Sequence, residues 1–219
     1  MKEKEPSPAP GSLQERKQRL VRANIAELAV VPLIAHGFDA VTIDDLAKAA
    51  GISKRTFFRY FATKEEVVTW EFDETGTALL TAFRLRPRDE QPLVSLRLAM
   101  GLIIDRLTSD PERARELMRL IHRTPALRGR FLVTQDHWRE QFTSAIAERL
   151  PGGPRTPMLA RLTATVSMGA VDAAMMAWAE SSDRDIGTVV DEAFEALAAV
   201  VKAATHPAQG RGSRPKAKW

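Results

Sequence analysis

Residues 53–64 hold four cations, several hydroxyl and aromatic side chains and no acid. Arginine can bond the O6 and N7 atoms of guanine through two hydrogen bonds, and threonine or phenylalanine can contact the methyl group of thymine. Lysine, serine, threonine and tyrosine can bind backbone phosphates. The segment therefore carries the side-chain chemistry that recognition of duplex DNA requires.

A short amphipathic helix is predicted directly before this segment. Its apolar residues follow the i, i+3, i+4, i+7 spacing of one helix face, at Ile43, Leu46, Ala47 and Ala50. Thr42 is predicted to cap the helix and to form a capping box with Asp45. Gly51 is predicted to end it, because glycine enters the left-handed conformation without a Cβ penalty.

A second helix, over about residues 54–61, is predicted to begin at Ser53 and to have two different faces. Phe57 and Phe61 lie four residues apart, so we expect both to pack against the first helix. The other face presents Arg55, Thr56, Phe58 and Arg59. Two short helices joined by a glycine turn, the second of them basic, are typical of a helix-turn-helix.

This segment resembles the helix-turn-helix of the TetR family of bacterial transcriptional regulators. The family pattern is T-x-x-x-[IL]-A-x-x-A-G-[IV]-S-x-x-T-[FL]-[FY]-x-[YH]-F-x-x-K-E, and it is matched at Thr42, Leu46, Ala47, Ala50, Gly51, Ile52, Ser53, Thr56, Phe57, Phe58, Tyr60, Phe61, Lys64 and Glu65. The resemblance implies an all-α homodimer of about nine helices per subunit. Each subunit would have a three-helix DNA-binding domain and a larger helical domain for ligand binding and dimerisation.

The resemblance also implies a role for each residue of the motif. Thr42, Tyr60 and Lys64 are expected to contact phosphates, whereas the residues at or near base edges are Ser53, Lys54, Arg55, Thr56 and Arg59. Phe58 stands where many members have Tyr, so we expect an apolar contact there. The cations near the start of the first predicted helix are expected to approach the DNA backbone; they are Arg16, Lys17, Arg19 and Arg22. A solvated surface charge is the alternative for these four residues and for Lys54 and Arg55.

Four regions are predicted along the chain: a disordered tail (1–12), the DNA-binding domain (13–66), the ligand-binding and dimerisation domain (67–205) and a basic disordered tail (206–219). Proline, serine and charge in the first tail cannot bury enough surface to offset the entropy of ordering. The second tail is expected either to add nonspecific DNA affinity or to act as a solubilising appendage.

Three details of the helices are predicted. Pro32 is expected to kink the first helix near Leu28, because an interior proline removes one backbone hydrogen bond. Thr63 and Glu66 repeat the capping pattern before the long helix that follows the motif. One uninterrupted helix is predicted over about residues 93–108 from its apolar spacing.

Composition excludes several other classes of protein. No uninterrupted apolar run approaches the ~18 residues that a membrane span needs, and no signal peptide is recognisable, so we expect a cytoplasmic protein with no membrane partner. The absence of cysteine excludes disulfides and thiolate metal sites. We expect no enzyme, no cofactor and no metal, since there is no phosphate-binding glycine loop and the histidines are scattered, at His36, His122, His137 and His206.

The last two predicted helices, over about residues 156–180 and 186–204, are rich in small and apolar residues. We interpret them as a dimer interface, a four-helix bundle formed with their copies across a two-fold axis. An internal hairpin of a monomer is the alternative. The small residues of the first of these helices would allow close approach, at Gly169, Ala170, Ala173 and Ala177.

A ligand pocket is predicted where large, flexible apolar side chains from several helices converge. The candidates are Trp70, Met100, Ile104, Met118, His122, Trp138, Phe142, Met168, Asp172, Met175 and Met176. Ordinary core packing is the alternative for each of them. These residues suit a hydrophobic or amphipathic effector, and the resemblance to the TetR family implies a repressor that such a molecule releases from a palindromic operator. The alternatives are an activator of the same fold and a ligand-independent or architectural DNA-binding protein.

Overall fold

The structure is a computed structural model that describes residues 13–205; the predicted tails, 1–12 and 206–219, lie outside the described residues. Within that range the chain forms ten α-helices and no strand, which confirms the predicted all-α class. The helices are α1 (Leu13–His36), α2 (Ile43–Ala49), α3 (Lys54–Tyr60), α4 (Lys64–Leu85), α5 (Pro92–Ala99), α6 (Gly101–Ser109), α7 (Pro111–Arg123), α8 (Pro125–Ala147), α9 (Thr156–Glu180) and α10 (Ile186–Thr205).

The described chain divides into two compact units. Unit 1 comprises residues 13–82 and 110–138, and unit 2 comprises residues 83–109 and 139–205. The chain passes from one unit to the other three times: inside α4, between α6 and α7, and inside α8. The predicted division between residues 66 and 67 rests on the motif rather than on compactness, and it stays a prediction.

In unit 1, α1 contacts α2 and α7, and α2 contacts α3. The apolar side chains of Ile25, Ala29 and Leu33 on α1 are buried, as are Leu46 of α2 and Phe57 of α3. Burial of such side chains contributes about 1.5–3 kcal/mol for each Leu, Ile or Phe. This core places α3 on a fixed support. Helix α1 continues through its interior proline to His36, and the expected kink stays a prediction.

In unit 2, α9 packs along α10, and both contact α5. The contact is close because α9 buries small side chains, among them Ala160, Ala164 and Ala174. By length and composition alone, α9 is the one described helix that could cross a membrane; its packing within unit 2 uses the same apolar character.

The connection between α4 and α5 is held by charged groups. Arg149, which follows the end of α8, donates to the carbonyls of Arg86 (3.1 Å) and Pro87 (3.2 Å) and to Oγ of Ser95 (3.0 Å). Glu90 accepts from Nε of Arg86 at 2.8 Å and from Oγ of Ser95 at 2.6 Å. The bonds from Arg86 and Ser95 hold the pKa of Glu90 at about 2, below its ordinary value of 4.5.

The prediction of a single uninterrupted helix over residues 93–108 is wrong, because the structure contains two helices there, α5 and α6. Met100 separates them, and its amide is shared between the carbonyls of Leu96 (3.1 Å) and Arg97 (3.2 Å). Such i→i+3 bonding tightens the last turn of a helix. Gly101 follows directly, and glycine costs about 1 kcal/mol relative to alanine inside a helix. The break explains why there are ten described helices rather than about nine.

Candidate nucleic-acid interface

The start of α2 is fixed by the predicted capping box. The amide of Asp45 donates to Oγ1 of Thr42 at 3.3 Å, and the amide of Thr42 donates to Oδ2 of Asp45 at 2.9 Å. The Thr42 hydroxyl also donates to Oδ2 at 2.6 Å, and these bonds lower the pKa of the Asp45 carboxyl. Each side chain thus satisfies a backbone amide that the helix leaves unpaired.

The turn between α2 and α3 follows from Gly51, which has a φ of +68°. Its amide donates to the carbonyl of Lys48 at 3.0 Å, and the amide of Ile52 donates to the carbonyl of Ala47 at 2.9 Å. These two bonds form a Schellman motif. A Cβ at Gly51 would meet no atom within 4 Å, so the backbone conformation, and not space, requires glycine.

Helix α3 begins at its predicted cap and separates its two faces as predicted. Oγ of Ser53 accepts from the amide of Thr56 at 3.1 Å. Phe57 and Phe61 are fully buried, with ring centroids 5.8 Å apart. The ring of Phe58 stands edge-on to Phe57 and stays 46% exposed. An aromatic ring is therefore available on the outer face of α3 for an apolar contact.

The outer face of α3 is basic and exposed. Arg55 is exposed and makes no hydrogen bond or ion pair with any described residue. Arg59 lies with its Cζ 5.1 Å from the ring centroid of Tyr60, which is half-buried. Lys54 forms an ion pair of 3.0 Å with Asp44 of α2. Asp44 was missed by sequence analysis, because the pair joins two helices and no helical spacing connects its members.

Lys64 has contacts that the motif did not predict. Its Nζ donates to the carbonyls of Phe38 (2.7 Å) and Val41 (3.3 Å) and lies 4.1 Å from the centroid of the Phe38 ring. In this arrangement the ammonium joins the start of α4 to the connection between α1 and α2. Its expected phosphate contact stays a prediction.

Two known family models match this chain. One, described as "Bacterial regulatory proteins, tetR family", covers residues 25–69, and the other, described as "MftR C-terminal domain", covers residues 78–202, more than half of the 219 residues. The chain belongs to the TetR family. It is therefore a DNA-binding transcriptional regulator and not an enzyme.

A relative and two solved structures illustrate the similarity. The chain is 30% identical over 190 residues (84% of this chain, 92% of the relative) to a protein of Mycobacterium tuberculosis provisionally named mycofactocin biosynthesis transcriptional regulator MftR. A TetR-family regulator structure from Syntrophomonas wolfei has a TM-score of 0.64 at 12% identity and covers 90% of this chain and 100% of that one. The Bacillus subtilis regulator FadR in complex with stearoyl-CoA has a TM-score of 0.57 at 16% identity, with coverages of 80% and 96%. At these identities the two structures support the fold alone.

The residues predicted to line a ligand pocket in this TetR-family chain fall in both units. Unit 1 contains Trp70, Met118, His122 and Trp138, and unit 2 contains Met100, Ile104, Phe142, Met168, Asp172, Met175 and Met176. Met100, Met118 and Phe142 are buried, whereas the others are half-buried. Their role in ligand binding stays a prediction.

Two of the unit 1 candidates have close contacts with side chains of the same unit. The centroid of Trp70 lies 6.4 Å from that of Phe61, beside the helix-turn-helix. Nδ1 of His122 is 2.5 Å from a guanidinium nitrogen of Arg128, and its ring lies edge-on to Phe131.

A surface depression of about 380 Å³ in unit 2 includes none of the predicted ligand residues. Its lining is Leu150, Pro151, Gly153, Pro154, Arg155, Thr156 and Leu159.

Proposed function

We propose that this TetR-family regulator is a cytoplasmic repressor that binds a palindromic operator as a homodimer. A hydrophobic or amphipathic small molecule releases it from the DNA. The observation that carries the proposal is the outer face of α3, where Arg55 is exposed without a partner among the described residues and Phe58 is 46% exposed. The exposed cations and the exposed ring lie on the outer face of α3, whose inner face is buried and whose first turn is capped. A helix face of this kind can enter the major groove of DNA.

The DNA contacts that we propose divide into two groups. Arg55 reads a guanine edge, Phe58 contacts a thymine methyl group, and Ser53, Lys54, Thr56 and Arg59 lie at or near the bases. Thr42, Tyr60 and Lys64 bind phosphates. Lys54 must leave Asp44 to reach a base edge, and an exposed ion pair costs only about 0–1 kcal/mol to break.

An exposed apolar face on α9 and α10 supports the homodimer. Met158 (61% exposed), Leu162 (55%) and Val200 (65%) are large apolar side chains facing solvent in the single chain. The small residues Gly169 and Ala173 of α9 are exposed as well. An apolar face of this kind on two adjacent helices is typical of a subunit interface. Light scattering during size exclusion should give twice the subunit mass, and a stable monomer would refute the dimer.

The proposed effector class is supported by the candidate lining and by a relative's complex. The methionine and aromatic candidates are apolar and flexible, and the Bacillus subtilis FadR structure contains stearoyl-CoA. We expect fatty acyl-CoA compounds to raise the melting temperature and to release bound DNA. A series of chain lengths in a thermal-shift assay tests this, and a shift without DNA release would favour a ligand-independent regulator.

Selection of bound duplexes from random DNA is the experiment that tests the function. We expect a palindrome whose half-sites lie about one helical turn apart. Arg55→Ala should weaken binding to that duplex by about 1–3 kcal/mol while leaving the dimer intact. Unchanged affinity would contradict the assignment of the α3 face, and recovery of no preferred sequence would favour the architectural alternative. A reporter gene placed behind the selected palindrome distinguishes repression from activation.

A further inference from the structure

A guanidinium on α1 lies against two aromatic rings beside the end of the recognition helix. Cζ of Arg22 is 4.0 Å from the ring centroid of Trp70 and 4.9 Å from that of Phe61. The two rings also contact each other edge-on, with centroids 6.4 Å apart. Because the Arg22 side chain is only 26% exposed, its cation–π contacts are stronger than they would be at a fully exposed site.

Glu66 of α4 extends this contact to the backbone that follows α3. Its Oε1 forms an ion pair with Arg22, and its Oε2 accepts from the amide of Ala62 at 2.7 Å. Ala62 follows Phe61, the C-cap of α3, whose amide donates to the carbonyl of Phe57 at 3.0 Å. One guanidinium therefore connects α1, α4 and the C-terminal end of α3.

We propose that Arg22 is a positioning residue for DNA recognition. The cluster, named here the Arg22 clamp, consists of Arg22, Phe61, Glu66, Trp70 and the amide of Ala62. It fixes the orientation of α3 relative to α1 and α4. Base recognition depends on that orientation, because the bases are read by side chains on the opposite, exposed face of α3. Arginine suits this place because its planar guanidinium can stack flat on a ring while its N–H groups bond a carboxylate, whereas an ammonium is a more strongly hydrated point charge.

The Arg22 clamp predicts a behaviour different from that of a phosphate contact. A residue that neutralises a phosphate contributes to specific and nonspecific binding alike, and its loss reduces the salt slope of log K by about 0.9. A positioning residue acts on base contacts, so its loss reduces the preference for the operator and leaves the salt slope unchanged. Arg22 was one of the α1 cations that could have approached the DNA backbone, and this difference separates the two roles.

The test compares Arg22→Met and Arg22→Lys with Arg19→Met as the matched control. Arg19 lies on the same helix, is 66% exposed and forms only a 3.6 Å ion pair with Glu74. Fluorescence anisotropy with the selected palindrome and with a scrambled duplex would be measured from 50 to 300 mM salt, roughly the range over which such slopes are resolved. We expect Arg22→Met to lose operator affinity by about tenfold or more, the effect of about 1.4 kcal/mol, with unchanged scrambled-duplex affinity and salt slope.

Glu66→Gln provides a second variant that does not depend on the folding of Arg22→Met. It keeps an oxygen for the Ala62 amide and removes the charge that pairs with Arg22. We expect Glu66→Gln to lose less operator preference than Arg22→Met does. When the two substitutions are combined, the loss should be less than the sum of the two single losses, because both residues act in one cluster. Operator affinity unchanged in Arg22→Lys and Glu66→Gln would overturn the proposal, as would a reduced salt slope or additive losses.

Discussion

The replacement Gly76→Ala should displace a tryptophan that rests on the backbone of α4. A Cβ built at Gly76 would lie 2.1 Å from Cε2 and Nε1 of Trp138 on α8 and 2.7 Å from Cδ1. The two helices are also joined by a bond of 3.2 Å from Oγ1 of Thr134 to Asp73. This hydrogen bond and the edge-on ring contact between Phe72 and Phe131 hold the two helices in place. The indole of Trp138 therefore has to move rather than the backbone.

The magnitude follows from two opposing terms. Inserting a methyl group into a filled space costs about 1–3 kcal/mol, whereas replacing glycine by alanine inside a helix gains about 1 kcal/mol. We expect Gly76→Ala to lose about 1 kcal/mol in total. For a protein of this size such a loss lowers the melting temperature by about 2–4 °C.

Thermal and urea unfolding, followed by circular dichroism, measure this change in the wild-type and Trp138→Leu backgrounds. The smaller side chain removes the overlap, so Gly76→Ala should then stabilise the protein by about 0.5–1 kcal/mol. Gly101→Ala is the matched control, because a Cβ at that helical glycine meets nothing within 4 Å and should stabilise. If Gly76→Ala stabilises the wild-type protein as much as Gly101→Ala does, the indole does not rest on α4.

Three further predictions concern the turn, a surface charge and acid stability. Gly51→Ala should lower the free energy of unfolding by about 1–2 kcal/mol by urea titration, since its φ of +68° is unfavourable for alanine; a stabilisation like that of Gly101→Ala would contradict this. Asp44→Asn should increase affinity for a scrambled duplex in anisotropy measurements, because it frees a lysine of α3; unchanged affinity would show that the ion pair does not compete. The pKa of Glu90 is about 2 in the folded state, below its ordinary value of 4.5. The stability that its carboxylate contributes to the folded state is therefore complete above pH 4.5 and is lost as pH falls towards 2. Glu90→Gln, which removes that carboxylate from Arg86, should therefore flatten the dependence of the melting temperature on pH in this window, and an unaltered curve would exclude the carboxylate as its source.

The helix-turn-helix illustrates which features local sequence can predict. The capping box and the cap of α3 each join residues three positions apart, and the left-handed conformation of Gly51 is a property of a single residue. Burial of Phe57 and Phe61 was predictable because a helix brings residues four apart onto one face. The capping by Thr63 was half correct: its hydroxyl accepts from the amide of Glu66 at 3.2 Å, but the carboxylate accepts from Ala62 and not from Thr63.

The amino-acid sequence alone thus determined the class of fold, the recognition helix and its two faces, since backbone geometry and side-chain spacing within a few residues decide them. The tertiary structure decided which charges remain available to DNA. Arg22 meets Glu66 across 44 residues, Lys64 meets Phe38 across 26, and Lys54 meets Asp44 across 10. A cation's partner depends on the angle and separation at which whole helices pack, and no periodicity in the sequence encodes that arrangement.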